Sequence, residues 1–184
     1  TVIPAAWQAL NGWPVSRSTN GGLAGFFAPS VLYWEDDIIA WATGHNLDPN
    51  LMATVMQIES RGHPNVSSHA GAQGLFQVMP FHFLATENML DPDTNAMRGA
   101  LFLNECRNYA GDNAGMMMAC YNGGPSVTYK LFANWPSETQ RYYLWGAQIY
   151  NDAYHNMPQS PTLDQWMAAG GRSLCDRAEA EIGL

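Results

Sequence analysis

The sequence predicts a mainly α-helical protein. Apolar residues recur at helical spacing in several segments, and residues that favour helix starts and stops flank those segments. Convincing strand patterns are missing, and the chain contains no internal repeat and no low-complexity tract. With 184 residues, of which 47% are hydrophobic, the chain is long enough and apolar enough to bury a core.

The chain is expected to fold as one central unit with an extension at each end. Residues 1–30 are rich in Gly, Pro, Ser and Trp and have no sustained period, which indicates an ordered but irregular N-terminal arm. Residues 31–156 would form the central unit, and residues 157–184 would form a helical tail packed on it. The large apolar side chains that could dock the arm are Trp7, Trp13 and Phe26.

The first two helices are predicted from the residues at their starts. Ser30 is expected to cap a helix over residues 31–45, in which large side chains recur at helical spacing. Asp48 followed by Pro49 is typical of a second helix start, because aspartate caps well and proline suits the first helical position. That second helix is expected to run to Glu59.

The rest of the chain predicts a loop and then further helices. The loop is expected over residues 62–74, where glycine and serine are frequent. The helices expected after it are a short one after Pro80, one from Asp91 to Gly111, one from Ala114 to Tyr121, one capped by Ser137, and two weaker ones over residues 162–169 and 173–182.

The charge of the chain excludes several classes of function. The net charge is −8, Lys130 is the only lysine, and only 13% of residues are charged. Such a chain lacks the basic surface of a nucleic-acid-binding protein and should not be drawn to an anionic membrane. No apolar stretch is long enough to span a bilayer. The N-terminus does not resemble a secretory signal, so the chain is either cytoplasmic or a mature form without its leader.

The cysteines and histidines do not predict a metal site. Cys106, Cys120 and Cys175 lack metal-ligand spacing, and the five histidines have no regular ligand spacing. Two interpretations of the cysteines stay open. They are either three buried thiols, or one disulfide with a spare thiol, in which case Cys106 and Cys120 are the pair to test. No metal and no cofactor is expected.

Glu59 is the candidate catalytic residue. It lies near the C-terminal end of its predicted helix, where the helix dipole disfavours ionisation. Val55 and Met56, one turn earlier, offer an apolar wall, and desolvation raises a carboxyl pKa. Both effects favour a protonated acid near neutral pH, as a general acid requires. Arg61 would oppose them, but at a spacing of two residues it is expected to point elsewhere. The alternative is an ordinary solvated glutamate.

The segment that begins at Glu59 carries a longer pattern. A Glu-Ser pair is followed by a loop with a further serine and then by Gly-Ala-x-Gly-Leu-x-Gln-x-Met-Pro. This block resembles the catalytic segment of the soluble lytic transglycosylases, which are relatives of goose-type lysozyme in glycoside hydrolase family 23. Phe76 stands where that family commonly has Met. The matching residues are Glu59, Ser60, Ser68, Gly71, Ala72, Gly74, Leu75, Gln77, Met79 and Pro80.

Three later segments resemble the same family in the same order, so that the resemblance covers roughly residues 48–152. They read DPDTNAMRGALFL, ACYNGGPSV and PSETQRYYLWG. Cys120 replaces an alanine that is usual in the second of them. The residues that match the family pattern in these segments are Asn95, Gly99, Leu103, Tyr121, Asn122, Glu138, Thr139 and Tyr142.

The resemblance implies a lysozyme-like helical domain with a substrate groove. It also implies cleavage of the β-1,4 bond between N-acetylmuramic acid and N-acetylglucosamine of peptidoglycan, which leaves 1,6-anhydro ends. Glu59 would act first as acid and then as base, and residues 60–86 contain no second carboxylate. The residues expected to contact substrate are Ser68, Gln77, Met79, Tyr121 and Asn122. Those expected to position the site indirectly are Ser60, Glu138 and Tyr142.

Two alternatives to this function stay open. The chain could be a hydrolytic lysozyme or chitinase of the same fold, or a cell-wall binding module without catalysis. For the transglycosylase, the expected partner is a peptidoglycan glycan strand, bound by a monomer through short-range contacts in the cleft. The family role implies action outside the cytoplasmic membrane, reached either by export with a leader that is absent from this sequence or by delivery through a phage or secretion machine.

Overall fold

The computed structural model describes residues 21–184, and within them the fold is helical. The described residues form no β-strand, and their only β-type pairing consists of isolated bridges between Ser67 and Gln73 and between Gln73 and Val78. The mainly helical prediction is therefore confirmed. Trp7 and Trp13, which were expected to dock the N-terminal arm, lie outside the described residues. None of the helices within 21–184 has the length and apolar character that crossing a bilayer demands.

The helices follow the order expected from the sequence. In chain order they are α1 (Pro29–Leu32), α2 (Glu35–Gly44), α3 (Pro49–Glu59), α4 (Pro92–Ala110), α5 (Ala114–Gly123), α6 (Ser137–Tyr154), α7 (Pro161–Trp166) and α8 (Arg172–Ile182). Short 3₁₀ turns lie at Pro80–His82, Pro125–Tyr129 and Phe132–Asn134, and a wide π-type turn at Met167–Gly171 connects α7 to α8.

The prediction that Ser30 caps a single helix is wrong. The segment forms two helices, and α1 begins at Pro29, because proline needs no hydrogen-bonded N–H in the first turn. Ser30 therefore lies inside α1, where it is buried and its hydroxyl has no hydrogen-bond partner among the described residues. The chain turns at Tyr33 and Trp34, and α2 restarts at Glu35 with three acidic residues in its first turn.

Helix α3 is the central element and behaves as the sequence predicts. Asp48 caps it, since its Oδ1 accepts hydrogen bonds from the backbone N–H of Asn50 at 2.7 Å and of Leu51 at 3.4 Å. Every residue from 50 to 57 is buried, because neighbouring helices surround this helix. The helix ends at Glu59, and Ser60 is the C-cap. The candidate acid therefore lies where the most buried helix of the fold emerges.

Helices α4 and α5 are covalently joined. A disulfide links Cys106 of α4 to Cys120 of α5, with the two Cα atoms 5.6 Å apart. Cys175 is a free, buried thiol. Of the two interpretations left open by the sequence, the structure supports the disulfide with a spare thiol. The bond ties the end of α4 to the helix that carries Tyr121 and Asn122 toward the site.

Helices α5 and α6 pack closely because glycines lie at their contact. A Cβ atom on Gly115 would come within 2.9 Å of the Tyr143 ring, and one on Gly146 would come within 3.0 Å of the Met118 sulfur. The prediction that Ser137 caps α6 is wrong: Pro136 is the N-cap, and Ser137 is the first helical residue. The helix therefore begins one position earlier than a cap at Ser137 would place it.

The C-terminal tail packs on the rest of the described chain. Ser160 caps α7, accepting a hydrogen bond from Leu163 N at 3.2 Å, and its hydroxyl donates to Asp152 of α6 at 2.6 Å. The tail residues that join the common hydrophobic core are Leu163, Trp166, Met167 and Cys175. The division of the chain into arm, central unit and tail stays a prediction, but the tail and the central helices share one core.

Candidate active site

A cavity of about 450 Å³ opens at the C-terminal end of α3. Its walls come from four parts of the fold: the end of α3, the following loop up to Gln77, the facing ends of α5 and α6, and α7 of the tail. Glu59 lies on this cavity, together with six of the residues that give it its chemistry: Arg61, Ser68, Gln77, Asn122, Glu138 and Tyr142. The chain therefore gathers four separate segments around one carboxyl group.

The structure brings most, but not all, of the candidate residues together. Glu59, Ser68, Gln77, Asn122, Glu138 and Tyr142 line the cavity, whereas Ser60, Met79 and Tyr121 do not. Ser60 is buried and acts on the backbone: its hydroxyl accepts a hydrogen bond from Gly62 N at 3.1 Å. Met79 is half-buried just before the 3₁₀ turn at Pro80–His82. Their contact with substrate or site stays a prediction.

Glu59 has the environment that a general acid requires. Burial raises the pKa of its carboxyl group from 4.5 to about 7. The nearby Tyr142 hydroxyl and the charge of Arg61 lower this pKa, and the charge of Glu138 raises it by a smaller amount. Desolvation, whose direction was expected from the sequence, is therefore the largest effect. At neutral pH a substantial fraction of the carboxyl groups carries a proton and can donate it.

Tyr142 of α6 is a polar neighbour of Glu59. Its ring is buried, and its hydroxyl interacts with the Glu59 carboxyl more loosely than in an ordinary hydrogen bond. No other described residue accepts or donates a hydrogen bond at this hydroxyl. Burial, followed by the charge of Glu59, raises the pKa of Tyr142 well above its usual value, so the phenol remains a donor. It can stabilise the carboxylate once Glu59 has given up its proton.

Arg61 lies in the cavity, which contradicts the expectation that it points elsewhere. That expectation assumed a continuing helix, but the helix ends at Glu59 and Arg61 adopts a left-handed backbone conformation with φ of 62°. The turn brings the guanidinium back, and its Nη1 donates to the backbone carbonyl of Glu59 at 2.8 Å. The positive charge therefore lies beside the acid and tempers the pKa shift.

The loop after α3 is held in shape by its own polar side chains. Gln77 has φ of 46°, and its Nε2 donates to the carbonyls of Val66 at 3.0 Å and Gly74 at 2.9 Å. Ser68 is exposed at the cavity, and its hydroxyl accepts a hydrogen bond from Ala72 N at 3.0 Å. Both side chains thus order the loop while they line the cavity, and a substrate would meet them already positioned.

Tyr121 supports the site from behind the loop. Its hydroxyl donates to the Phe76 carbonyl at 2.7 Å, which fastens the loop to α5. The residue is buried, and burial and then the charge of Glu59 raise the pKa of its phenol well above the usual value. Its neighbour Asn122 does reach the cavity, where its Oδ1 accepts a hydrogen bond from Thr139 of α6 at 2.8 Å.

Sequence reasoning missed several residues of the cavity wall. They are Ile58, Val66, Ser67, Arg141, Trp145 and Trp166. Arg141 and Trp145 could have been found, because Arg141 lies three positions after Glu138 and Trp145 lies three positions after Tyr142, and residues at that spacing share a face of a helix. Trp166 had no such signal, since it comes from the tail. No cluster of three or more potential metal ligands occurs within residues 21–184.

Replacing Glu138 with glutamine should shift the pH dependence of the site in a defined direction. The negative charge of Glu138 raises the pKa of Glu59, so its removal lowers that pKa. We expect the alkaline limb of the kcat/KM profile, where Glu59 loses its proton, to move to lower pH with only a small loss of maximal activity. A pH–rate series on both proteins measures this. A movement to higher pH would contradict the arrangement of charges described here.

Comparison with known proteins places this site in a family. The family model for the transglycosylase SLT domain matches residues 36–143. The transglycosylase of Enterobacteria phage PRD1 is 39% identical over 114 residues, which cover 61% of this chain and 41% of that protein. The soluble lytic murein transglycosylase of Escherichia coli is 29% identical over 106 residues, which cover 51% of this chain and 16% of that protein. The matches thus span less than half of each relative.

Solved structures show the same fold. The 70 kDa soluble lytic transglycosylase of Escherichia coli superposes with a TM-score of 0.56 and 26% identity, covering 70% of this chain and 25% of that one. An inactive mutant of the lytic transglycosylase Slt from Pseudomonas aeruginosa superposes with a TM-score of 0.53 and 22% identity, covering 67% of this chain and 24% of that one. At this identity the second likeness concerns the fold alone.

Proposed function

Because the chain belongs to the family defined by the transglycosylase SLT domain, we propose that it is a lytic transglycosylase of peptidoglycan. The substrate bond is the β-1,4 link between N-acetylmuramic acid and N-acetylglucosamine, and the products carry 1,6-anhydro ends. The observation that carries the proposal is the position of Glu59, a carboxyl group with a pKa of about 7 on a cavity built from the family's sequence segments.

In the first step, Glu59 donates its proton to the oxygen that leaves C1 of the muramoyl residue. The C1–O bond breaks, and the carbonyl oxygen of the substrate's own acetamide bonds to C1 and forms an oxazolinium ion. Glu59 is then a carboxylate, and the Tyr142 hydroxyl and the Arg61 charge stabilise it, since both lower its pKa. The two groups that lower the pKa of Glu59 therefore also stabilise its carboxylate while the oxazolinium ion is present.

In the second step, the muramoyl C6 hydroxyl attacks C1, and the bond from C1 to the acetamide oxygen breaks. Glu59 takes the hydroxyl proton and returns to its starting state, so that no water is consumed. A pKa near neutrality suits both halves of this cycle, because one group must donate a proton and later accept one. A single carboxyl group accounts for both steps.

A hydrolytic lysozyme is the second candidate, and a specific observation favours it. Glu138 presents another carboxyl group on the same cavity, outside the segment of residues 60–86 in which the sequence shows none. Two carboxylates that flank a scissile bond are the usual equipment of glycoside hydrolysis. In that mechanism Glu138 would activate a water molecule, and the products would carry reducing ends.

Mass analysis of the digestion products separates the two mechanisms. Purified peptidoglycan is incubated with the protein, and the masses of the released muropeptides are measured by mass spectrometry. Transglycosylation yields muramoyl products that are lighter by one water than the hydrolytic ones. We expect the anhydro products to dominate, and reducing ends without anhydro products would contradict the proposal. The absence of any soluble product from an enzyme with intact Glu59 would favour a binding module instead.

Substrate binding is proposed to rest on contacts within the cavity. The chain carries a net charge of −8, but Arg61 and Arg141 both lie on the cavity and give it a locally basic element. Long-range attraction of an anionic polymer by such a chain would be weak and screened by salt. We propose that a monomer acts on the glycan strand outside the cytoplasmic membrane, where peptidoglycan lies.

A further inference from the structure

The C-terminal tail contributes a wall of the cavity, although it lies outside the matched family domain. The match ends at residue 143, whereas Trp166 at the end of α7 lines the same cavity as Glu59 and Arg61. The Trp166 side chain is only 9% exposed, so nearly all of its surface is committed to contacts within the protein. A segment that the family does not prescribe therefore helps to form the site.

The Trp166 ring lies beside the Arg61 guanidinium. The Arg61 Cζ atom lies 5.3 Å from the centroid of the Trp166 ring, within the range of a cation–π interaction. The guanidinium Nη1 donates a hydrogen bond to the Glu59 carbonyl, but its buried Nε has no hydrogen-bond partner among the described residues. No carboxylate within residues 21–184 forms an ion pair with it. The contacts of the guanidinium are thus the Glu59 carbonyl and the indole face.

The tail fixes the indole firmly enough to serve this role. A Cβ atom on Gly171 would lie 2.4 Å from the Cε3 and Cζ3 atoms of Trp166, so the backbone of the wide turn is packed directly on the ring. Gly170, with φ of 119°, makes that turn possible. Farther along, Glu181 of α8 accepts a hydrogen bond from Asn65 Nδ2 at 2.7 Å, which ties the tail to the loop after Glu59.

We propose that Trp166 is a positioning residue of the active site, whose indole holds the Arg61 guanidinium beside Glu59. The C-terminal tail thereby completes the site by acting through Arg61. As a statement about catalysis this inference rests on the proposed function, but the positioning itself is a property of the free protein. Loss of the aromatic face should release Arg61 toward solvent and weaken its interaction with the acid.

The consequence for Glu59 has a definite sign. Arg61 lowers the pKa of Glu59, so releasing the guanidinium should raise that pKa above its value of about 7. Hydration of the cavity would act in the opposite direction, so the test must change the aromatic face without opening the wall. The titratable groups that act on Glu59 or on Arg61 in this region are Tyr142, Glu138, Tyr121, Cys175 and Arg177.

The test compares Trp166→Phe with Trp166→Leu. Both replacements are large and apolar and keep water out of the wall, but only phenylalanine retains a π face for the guanidinium. The carboxyl group of Glu59 is titrated by ¹³C NMR in each protein. We expect the leucine variant to titrate roughly half a pH unit higher than the phenylalanine variant. The phenylalanine variant should stay close to the wild type.

The same pair is then compared in an Arg61→Gln background. If Trp166 acts through Arg61, the difference between leucine and phenylalanine disappears there, because there is no cation left to hold. Equal titration of the two variants in the wild-type background, or a difference that persists without Arg61, would overturn the proposal. Neither titration requires turnover. If the protein released no peptidoglycan fragments, the proposed function would be refuted, but the role of Trp166 could still be tested by these titrations.

A second variant guards against a tail that fails to fold. Gly171→Ala leaves Trp166 in the sequence but places a methyl group where the ring now lies, and should displace the indole from Arg61. Because a displaced ring also admits water, this variant is measured in the wild-type and Arg61→Gln backgrounds. We expect the Glu59 pKa to be raised less, or lowered more, without Arg61, and equal shifts in the two backgrounds would contradict the proposal. Arg172→Gln, an exposed change in the same tail, is the matched control and should leave the titration unchanged.

Discussion

Replacing Glu59 with glutamine is expected to lower the turnover of peptidoglycan by on the order of 10²- to 10⁴-fold, the usual contribution of a general acid–base group. Glutamine has nearly the shape of glutamate but can neither give nor take the proton that both steps require. Substrate binding should change little, because the cavity walls remain intact. The rate of release of soluble muropeptides and the binding of glycan strands, measured on the same preparation, separate the two effects.

Glu105→Gln serves as the matched control for the Glu59 variant. Glu105 is an exposed carboxylate on α4 that does not line the cavity, so its replacement should leave turnover unchanged. Turnover of the Glu59 variant above about a tenth of the wild-type rate would contradict the assignment. It would direct attention to Glu138 as the working carboxylate, or to a function without chemistry.

The stability of the Glu59 variant also has a definite sign. Burial raises the pKa of Glu59 from 4.5 to about 7, so the protonated side chain stabilises the fold fully below pH 4.5, and this contribution is lost as the pH rises through about 7. Glutamine does not ionise, so the variant avoids the cost of a buried negative charge at alkaline pH. At pH 8 the variant should therefore melt at the same temperature as the wild type or higher, so its loss of turnover cannot be ascribed to unfolding.

Asn95→Ala is expected to destabilise the fold by about 3 kcal/mol or more, and to disorder the loop that carries Gln77. Asn95 is fully buried in α4, where its Oδ1 accepts from Phe76 N and its Nδ2 donates to the carbonyls of Gln73 and Met89. Alanine would leave all of these backbone groups without a partner in the interior. Urea unfolding measures the loss of stability.

The structure offers a control for this effect on the same helix. Asn104 is half-buried and makes one side-chain hydrogen bond, from its Nδ2 to the His45 carbonyl at 2.9 Å. Asn104→Ala should cost about 1 kcal/mol at most, because water can replace the lost partner. Equal losses in the two variants would contradict the view that Asn95 is the internal anchor of the loop.

The sequence was informative where local chemistry determines local structure. Asp48 caps α3 as expected, and Asp91 caps α4 by accepting a hydrogen bond from Thr94 N at 2.9 Å. In both places a carboxylate is followed by proline. The carboxylate accepts hydrogen bonds from backbone N–H groups of the first turn, and proline suits the first position of the helix. Ser30 and Ser137 were wrong for a related reason, because the preceding Pro29 and Pro136 set the helix start and left each serine inside the helix.

Residues of the site could be predicted from helical spacing only where they lie on a regular helix. The position of Glu59 at the end of α3 follows from the helical spacing, and its pKa is raised, as expected. Arg61 could not be placed, because its position depends on a left-handed turn just after the helix end. Trp166 could not be found either, since only tertiary packing brings α7 to the cavity. Residues joined by long-range packing leave little trace in local sequence patterns.

The proposed role of Glu59 as proton donor depends most directly on its protonation state in the folded protein. Its carboxyl carbon can be followed by ¹³C NMR across the pH range, with the signal assigned by its absence in Glu59→Gln. We predict a midpoint of about 7, because burial holds the proton on this group at neutral pH. A midpoint near the ordinary value of 4.5 would show that the carboxyl group is solvated and ionised, and would contradict its role as the proton donor.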